Sequence, residues 1–142
     1  GCSKVITVDK IDSILPEADI LYLAMPETPE TKNLISRKRL DLLKPSCGIV
    51  NIGRQSTLDY EALCEKLRAN KIAGAILDVF TPEPIELNSK LWEIPNLIIT
   101  PHVSSDDGES YVRLTLELFT KNLKLFISNK PLINQVNKNL GY

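Results

Sequence analysis

The stretch that most constrains this chain is Ala73 to Pro84, AGAILDVFTPEP, in which a short apolar run breaks into an acid and then into a proline-rich turn. Ala73 to Leu77 has the composition of a buried strand, and the residues that follow have the composition of a loop. Two similar units flank this stretch, GIVNIGR (Gly48 to Arg54) and LIITPH (Leu97 to His102). Because ligands of an open parallel sheet bind beyond the carboxyl ends of its strands, the three units predict one shared functional edge.

The rest of the chain alternates strand and helix patterns. A further buried strand is predicted at Asp19 to Ala24, and a short helix is expected between Asp9 and Glu17. Helices are predicted after Ser36 and after Asp59, each of which is a favoured N-cap residue type. Strand, helix, strand, helix, strand, loop, strand, helix predicts an α/β fold with a parallel sheet and right-handed crossovers.

The longest predicted helix begins at Ser104 or Ser105 and ends near Ser128. Acids in its first turn would be stabilised by the positive end of the helix dipole. Its apolar residues recur at spacings typical of one helix face. The acids are Asp106, Asp107 and Glu109, and the apolar stripe is Val112, Leu116, Phe119, Leu123 and Phe126.

Composition excludes several classes of function. The 142 residues are ordinary for one globular domain, and the formal net charge of −1 with interspersed signs argues against nucleic-acid and membrane-surface binding. No apolar run approaches the roughly 20 residues of a membrane span, and no signal peptide is recognised. Cys2, Cys47 and Cys64 lack metal or CxxC spacing and are interpreted as reduced thiols of a cytoplasmic protein. No metal site is therefore predicted.

Four residues at the predicted edge carry usable chemistry, although each has a simpler interpretation. His102 is the only histidine, and a lone histidine is more often structural; at a strand end it suits proton exchange near neutral pH. Glu83 is either a solvated loop acid or the partner of that imidazole. Arg54 is either a surface charge or a bidentate clamp for a carboxylate. Asp78 is either a turn former or an acceptor for a ligand amide.

These motifs in this order resemble the D-isomer-specific 2-hydroxyacid dehydrogenases, a family that includes phosphoglycerate dehydrogenases and glyoxylate/hydroxypyruvate reductases. The segments that carry the resemblance are ADILYLAMPETPETKNLI, NIGR, DYEAL, GAILDVFTPEP and SKLWEIPNLIITPH. The resemblance implies the second half of a Rossmann-like doubly wound parallel sheet at residues 1–110. Residues 111–142 would form a long C-terminal helix and tail that return to a substrate domain. The glycine turn G-x-G-x-x-G of the first half has no counterpart in this sequence.

The resemblance also implies roles for individual residues. Arg54 would hold the substrate carboxylate and carbonyl, His102 would be the acid and base, and Glu83 would keep His102 protonated for reduction. Asp78 would bind the nicotinamide carboxamide region of NAD or NADP. The other residues expected beside the cofactor are Met25, Pro26, Ile52, Gly53, Ser104 and Ser105.

Two hypotheses about function stay open at this point. The first is an NAD(P)-dependent oxidoreductase that interconverts a small 2-oxo acid and its D-2-hydroxy acid, represented by a C-terminal fragment. The second is a cofactor-binding regulator or an inactive truncated relative. Under either hypothesis, strand Asp19 to Ala24 would lie at an exposed sheet edge, which predicts a homodimer or association through that edge.

Overall fold

In the computed structural model, which describes residues 1–105 and 107–140, the chain divides into two units, Gly1–His102 and Val103–Tyr142. The first unit contains a four-stranded, entirely parallel sheet in the order β1-β2-β3-β4. The predicted α/β class with a parallel sheet is therefore confirmed. The strands are β1 (Ile20–Leu23), β2 (Gly48–Asn51), β3 (Gly74–Leu77) and β4 (Leu97–Ile99).

Three α-helices accompany these strands: α1 (Arg37–Leu40), α2 (Tyr60–Arg68) and α3 (Tyr111–Ile127). Helix α2 begins where the sequence predicts, because the Asp59 carboxylate accepts a hydrogen bond from the Ala62 N–H at 2.9 Å. Its inner face, with Leu63 and Leu67, packs in one apolar core with inward side chains of the strands. The core thus fixes α2 against one face of the sheet.

The opposite face of the sheet is not packed, which corrects the prediction of fully buried strands. Side chains that share this face through the strand register remain exposed, including Ile20 at 66% and Ile98 at 58%. Continuous apolar runs predict strands covered on both faces, whereas these strands are covered on one. The exposed set on this face is Ile20, Tyr22, Ile76 and Ile98.

Two helix predictions are wrong in detail. Helix α3 begins at Tyr111, with Ser110 as N-cap, and not at Ser104 or Ser105. Before it, the Asp107 carboxylate accepts hydrogen bonds from the N–H groups of Glu109 and Ser110, so a local turn takes the place of the first helical turns. Asp106 lies outside the described residues. The expected helix between Asp9 and Glu17 is instead a pair of 3-10 turns, Val8–Ser13 and Leu15–Glu17.

Helix α3 ends at Ile127, close to the predicted Ser128, and its apolar stripe is exposed. The predicted domain boundary lies between residues 110 and 111, whereas the two units meet between His102 and Val103. The assignment of these segments to two domains of a larger protein stays a prediction. Within residues 1–105 and 107–140, no helix is both long and apolar enough to cross a membrane.

Candidate functional site

Three consecutive strands end in the residues that the sequence singles out. Arg54 follows β2, Asp78 follows β3 directly, and His102 follows β4 after two residues. The strands are parallel and paired in register, for example Asn51 with Leu77. Their carboxyl ends therefore lie along one edge, which is where an open α/β sheet binds its ligands.

Glu83 and His102 form a hydrogen-bonded pair at this edge. Glu83 Oε2 lies 2.8 Å from His102 Nδ1, and Glu83 Oε1 accepts a hydrogen bond from the Phe80 N–H at 2.6 Å. The bond to His102, and then the bond from Phe80, lower the pKa of Glu83 below its ordinary value. A carboxylate that stays ionised holds the proton on Nδ1, so Nε2 is the ring nitrogen that can exchange a proton with a substrate.

His102 also has an unusual backbone conformation, with φ of 57°. This left-handed region is uncommon for residues other than glycine, although histidine, asparagine and aspartate adopt it more often than most. The side chain of His102 is 43% exposed and that of Glu83 is 35% exposed. The pair is therefore open to a ligand while both partners keep their contact.

Asp78 is placed differently from the other candidates. It is only 1% exposed, and its carboxylate accepts a hydrogen bond from the hydroxyl of Thr100. That bond ties the exit of β3 to the exit of β4. A carboxylate with so little exposed surface offers little contact to a ligand, so its predicted contact with nicotinamide stays a prediction from the resemblance.

The loop that carries Arg54 is held by its backbone. The carbonyl oxygen of Arg54 accepts hydrogen bonds from Asn51 Nδ2 at 3.2 Å and from the Thr57 hydroxyl at 2.7 Å. The N–H of Gly53 donates to Asn51 Oδ1 at 3.1 Å. Arg54 itself is exposed, and one guanidinium nitrogen donates to the Gly53 carbonyl. Because a guanidinium has five N–H donors, the others remain suited to a planar carboxylate.

Gly53 is required by a close backbone approach. A Cβ atom at this position would lie 2.6 Å from the carbonyl oxygen of Met25. We therefore expect Gly53→Ala to lower the free energy of unfolding by about 1–3 kcal/mol, because backbone must shift to admit the methyl group. Urea unfolding measures the loss. The control is Gly48→Ala, whose Cβ would meet nothing within 4 Å and which should cost little; equal losses in the two variants would contradict this expectation.

Tyr60, at the start of α2, belongs to the site although no sequence motif indicates it. Its hydroxyl donates to the carbonyl oxygen of Val79 at 2.7 Å and accepts from Asn51 Nδ2 at 3.3 Å. Its ring packs edge-on against Phe80, with centroids 6.2 Å apart. Burial raises the pKa of Tyr60 well above its ordinary value, so the hydroxyl keeps its proton and remains a donor.

A groove of about 590 Å³ adjoins the Glu83–His102 pair. Its polar members are Glu83 and His102, and Trp92 lies on its wall with the indole N–H donated to the Glu86 carbonyl at 2.9 Å. The remaining lining is apolar: Phe80, Pro84, Ile85, Ile99 and Pro101. A small ligand with one polar end fits this chemistry, because the polar groups stand at one place in an otherwise apolar wall.

The other residues predicted beside a cofactor are spread along the chain. Met25 and Pro26 follow β1, and the backbone of Met25 lies directly against Gly53. Ile52 continues β2, its N–H bonded to the Leu23 carbonyl at 3.0 Å. Ser104 and Ser105 are exposed and belong to the second unit. Their contacts with a cofactor stay predictions.

Comparison with known proteins identifies the family. Residues 2–104 match the family described as D-isomer specific 2-hydroxyacid dehydrogenase, NAD binding domain. The chain belongs to this family. A glyoxylate/hydroxypyruvate reductase B from Pectobacterium carotovorum is 42% identical over 100 residues, which are 70% of this chain and 31% of that protein. The chain spans less than half the length of the curated relatives it matches.

Solved structures agree with the family assignment. A D-isomer specific 2-hydroxyacid dehydrogenase from Xanthobacter autotrophicus, in complex with NADPH and MES, superposes with a TM-score of 0.86 at 32% identity, covering 94% of this chain and 54% of that one. An NADPH-dependent glyoxylate/hydroxypyruvate reductase from Sinorhizobium meliloti, in complex with NADP and sulfate, superposes with a TM-score of 0.87 at 28% identity. This match covers 99% of this chain and 47% of that one. The four-stranded parallel sheet therefore has the Rossmann-like fold of these family members.

Proposed function

We propose that this chain supplies the proton-transfer and substrate-carboxylate residues of an NAD(P)-dependent oxidoreductase that interconverts a small 2-oxo acid and its D-2-hydroxy acid. The observation that carries the proposal is the contact of 2.8 Å between Glu83 and His102 at the carboxyl edge of the sheet. Arg54 follows β2 and His102 follows β4, and only β3 lies between these two strands, so both residues leave the same edge of the sheet. A cation for the substrate carboxylate and an acid for its carbonyl oxygen are the two groups that reduction of a 2-oxo acid needs.

In this proposal each residue has one task. Arg54 donates hydrogen bonds to the substrate carboxylate and turns its 2-carbonyl towards His102. In reduction, His102 Nε2 gives its proton to the carbonyl oxygen as negative charge develops there, and Glu83 stabilises the imidazolium beforehand. In oxidation, neutral His102 takes the proton from the hydroxyl group. A nicotinamide cofactor, when bound, supplies or accepts the hydride.

The residues at this edge suit such a cofactor. Gly53 packs against the backbone of Met25, so the segments that follow β1 and β2 lie side by side at the carboxyl edge, where an open sheet binds its ligands. From the resemblance, Met25 and Pro26 would line the adenine side, and the backbone of Ile52 and Gly53 would pass close to the cofactor. Asp78, Ser104 and Ser105 would lie on the nicotinamide side. The sequence contains no G-x-G-x-x-G, so the pyrophosphate is not assigned to residues of this chain.

The test is a paired measurement on the purified chain. NADH and NADPH are titrated while nicotinamide fluorescence is followed, and turnover is then measured with glyoxylate and with hydroxypyruvate. We expect binding with a Kd of roughly micromolar, which is about −8 kcal/mol, and turnover that Arg54→Lys reduces at least tenfold, because lysine is a point charge without the planar fork. Binding without turnover would favour a cofactor-binding regulator, and no binding at millimolar cofactor would overturn the proposal for this chain.

We also infer that the chain associates through the free edge of β1, as a homodimer or with another chain. Within the described residues, β1 lies at the end of the sheet order and pairs only with β2, so the outer side of β1 faces no other strand. An exposed apolar edge strand is a template for pairing. Sedimentation of a clean monomer over a wide concentration range would contradict this inference.

The three free cysteines fit a reducing, cytoplasmic location.

A further inference from the structure

A single peptide group lies between Tyr60 and the Glu83–His102 pair. The carbonyl oxygen of Val79 accepts the Tyr60 hydroxyl at 2.7 Å, and the N–H of Phe80 donates to Glu83 Oε1 at 2.6 Å. These two atoms belong to the same peptide unit, which resonance keeps planar. Fixing the carbonyl side of that plane therefore fixes the direction in which its N–H points.

The Tyr60 hydroxyl is itself held by Asn51, which is fully buried at 0% exposure. The amide nitrogen of Asn51 has two protons, and it donates one to the Tyr60 hydroxyl and one to the Arg54 carbonyl. The amide oxygen accepts the Gly53 N–H, which settles the orientation of the amide group. One buried side chain therefore connects the loop that carries Arg54 with the peptide that holds Glu83.

We propose that Tyr60 is a positioning residue that acts on the catalytic pair through the Val79–Phe80 peptide, with Asn51 coupling it to the Arg54 loop. The proposal rests on the proposed function, because positioning matters for catalysis only if Glu83 and His102 act on a substrate. It has two physical parts. The hydroxyl sets the orientation of the peptide, and its hydrogen bond to the carbonyl polarises the amide so that the N–H becomes a stronger donor to the Glu83 carboxylate.

The ring of Tyr60 contributes separately from its hydroxyl. It packs edge-on against Phe80, which also lines the groove beside His102. Phenylalanine at position 60 would keep this contact and lose only the hydroxyl. Tyr60→Phe is therefore a narrow change, in which the Val79 carbonyl and one Asn51 proton lose their partner.

The test reads the proton equilibrium of Glu83 in the isolated chain by NMR, with 13C-labelled glutamate and a 15N-labelled backbone. The charged and titratable groups near this carboxylate are His102, Asp78 and Tyr60 itself, and the first two stay unchanged in the variant. The hydrogen bond from the Phe80 N–H is one of the contacts that keep the pKa of Glu83 low. Weakening this hydrogen bond therefore raises the titration midpoint of Glu83. We expect Tyr60→Phe to raise that midpoint by about half a pH unit and to move the Phe80 amide proton upfield.

Two comparisons separate positioning from general stabilisation. Tyr22→Phe removes the hydroxyl of a tyrosine that is 56% exposed on the uncovered sheet face, and it should leave both signals unchanged. Leu43→Ala destabilises the core at a site outside these contacts and should lower the melting temperature without moving the Glu83 midpoint. If Tyr60→Phe lowers the melting temperature and leaves the Glu83 midpoint and the Phe80 amide unchanged, Tyr60 is only structural and the proposal is wrong.

The measurement is independent of turnover. A shifted midpoint in a chain that does not reduce 2-oxo acids would support the positioning contact and count against the proposed function. An unshifted Glu83 midpoint in a chain that does reduce 2-oxo acids would leave the proposed function intact and overturn the role of Tyr60. The two proposals can therefore fail separately.

Discussion

Replacing His102 with asparagine is expected to lower kcat/KM for reduction of glyoxylate or hydroxypyruvate by 10²–10⁴-fold, the usual contribution of a positioned general acid. Asparagine is the suitable replacement because the backbone at position 102 has a φ of 57°, a conformation that asparagine adopts more readily than most residues. The variant therefore keeps the local fold and a polar side chain while it loses the imidazole that can transfer a proton near neutral pH. Stopped-flow measurement of NADH or NADPH oxidation gives the rate.

The control for this variant is cofactor affinity. In the proposed mechanism His102 acts on the substrate carbonyl, so Kd for NADH should change less than about threefold, which is under 1 kcal/mol. Glu83→Gln is the companion variant, since glutamine keeps a polar partner for Nδ1 and removes the negative charge that favours the imidazolium. Its loss in rate should grow as pH rises. Unchanged turnover in His102→Asn would exclude His102 as the acid.

The second large effect is on stability. Leu67 is completely buried in the core cluster on the inner face of α2. We expect Leu67→Ala to lower the free energy of unfolding by about 2–5 kcal/mol, from lost burial and the cavity left behind. Against a total of about 5–15 kcal/mol for an ordinary domain, that loss would be a large part of the free energy of unfolding. Equilibrium urea denaturation followed by circular dichroism measures it.

Arg68→Ala is the matched control on the same helix. Arg68 is exposed in the last turn of α2, and a surface substitution of this kind usually changes stability by no more than about 0.5 kcal/mol. A similar loss in both variants would mean that helix formation, and not packing against the sheet, limits stability. A small loss in Leu67→Ala would mean that the core relaxes to fill the space.

The strand positions were predictable from the sequence because short apolar runs end at proline or polar residues. Strand β4 was predicted at Leu97–Ile99 and is observed there. The grouping of Arg54, Asp78 and His102 followed from the rule that parallel strands share a carboxyl edge. The partial burial of the strands was not predictable in the same way, because an apolar run does not say whether both faces have something to cover them.

Other features depend on contacts that no local pattern encodes. Ser104 and Ser105 followed by acids have the composition of a helix start, but Asp107 caps a turn and α3 begins at Tyr111. Tyr60 lies nineteen residues from Val79, and its hydrogen bond arises only when α2 packs beside the end of β3. From the sequence Asn51 is predicted only as part of the exit from a strand, and its buried amide is recognised only from its three hydrogen-bond partners.

The groove beside Glu83 and His102 has a practical consequence for spectroscopy. The chain contains one tryptophan and one histidine, and both Trp92 and His102 line that groove. Tryptophan fluorescence, excited selectively over the four tyrosines, is therefore a signal from one wall of this groove, and the imidazole resonances of the protein belong to one ring. A ligand that enters the groove can be detected optically and by proton NMR at the same place, with no label and no substitution.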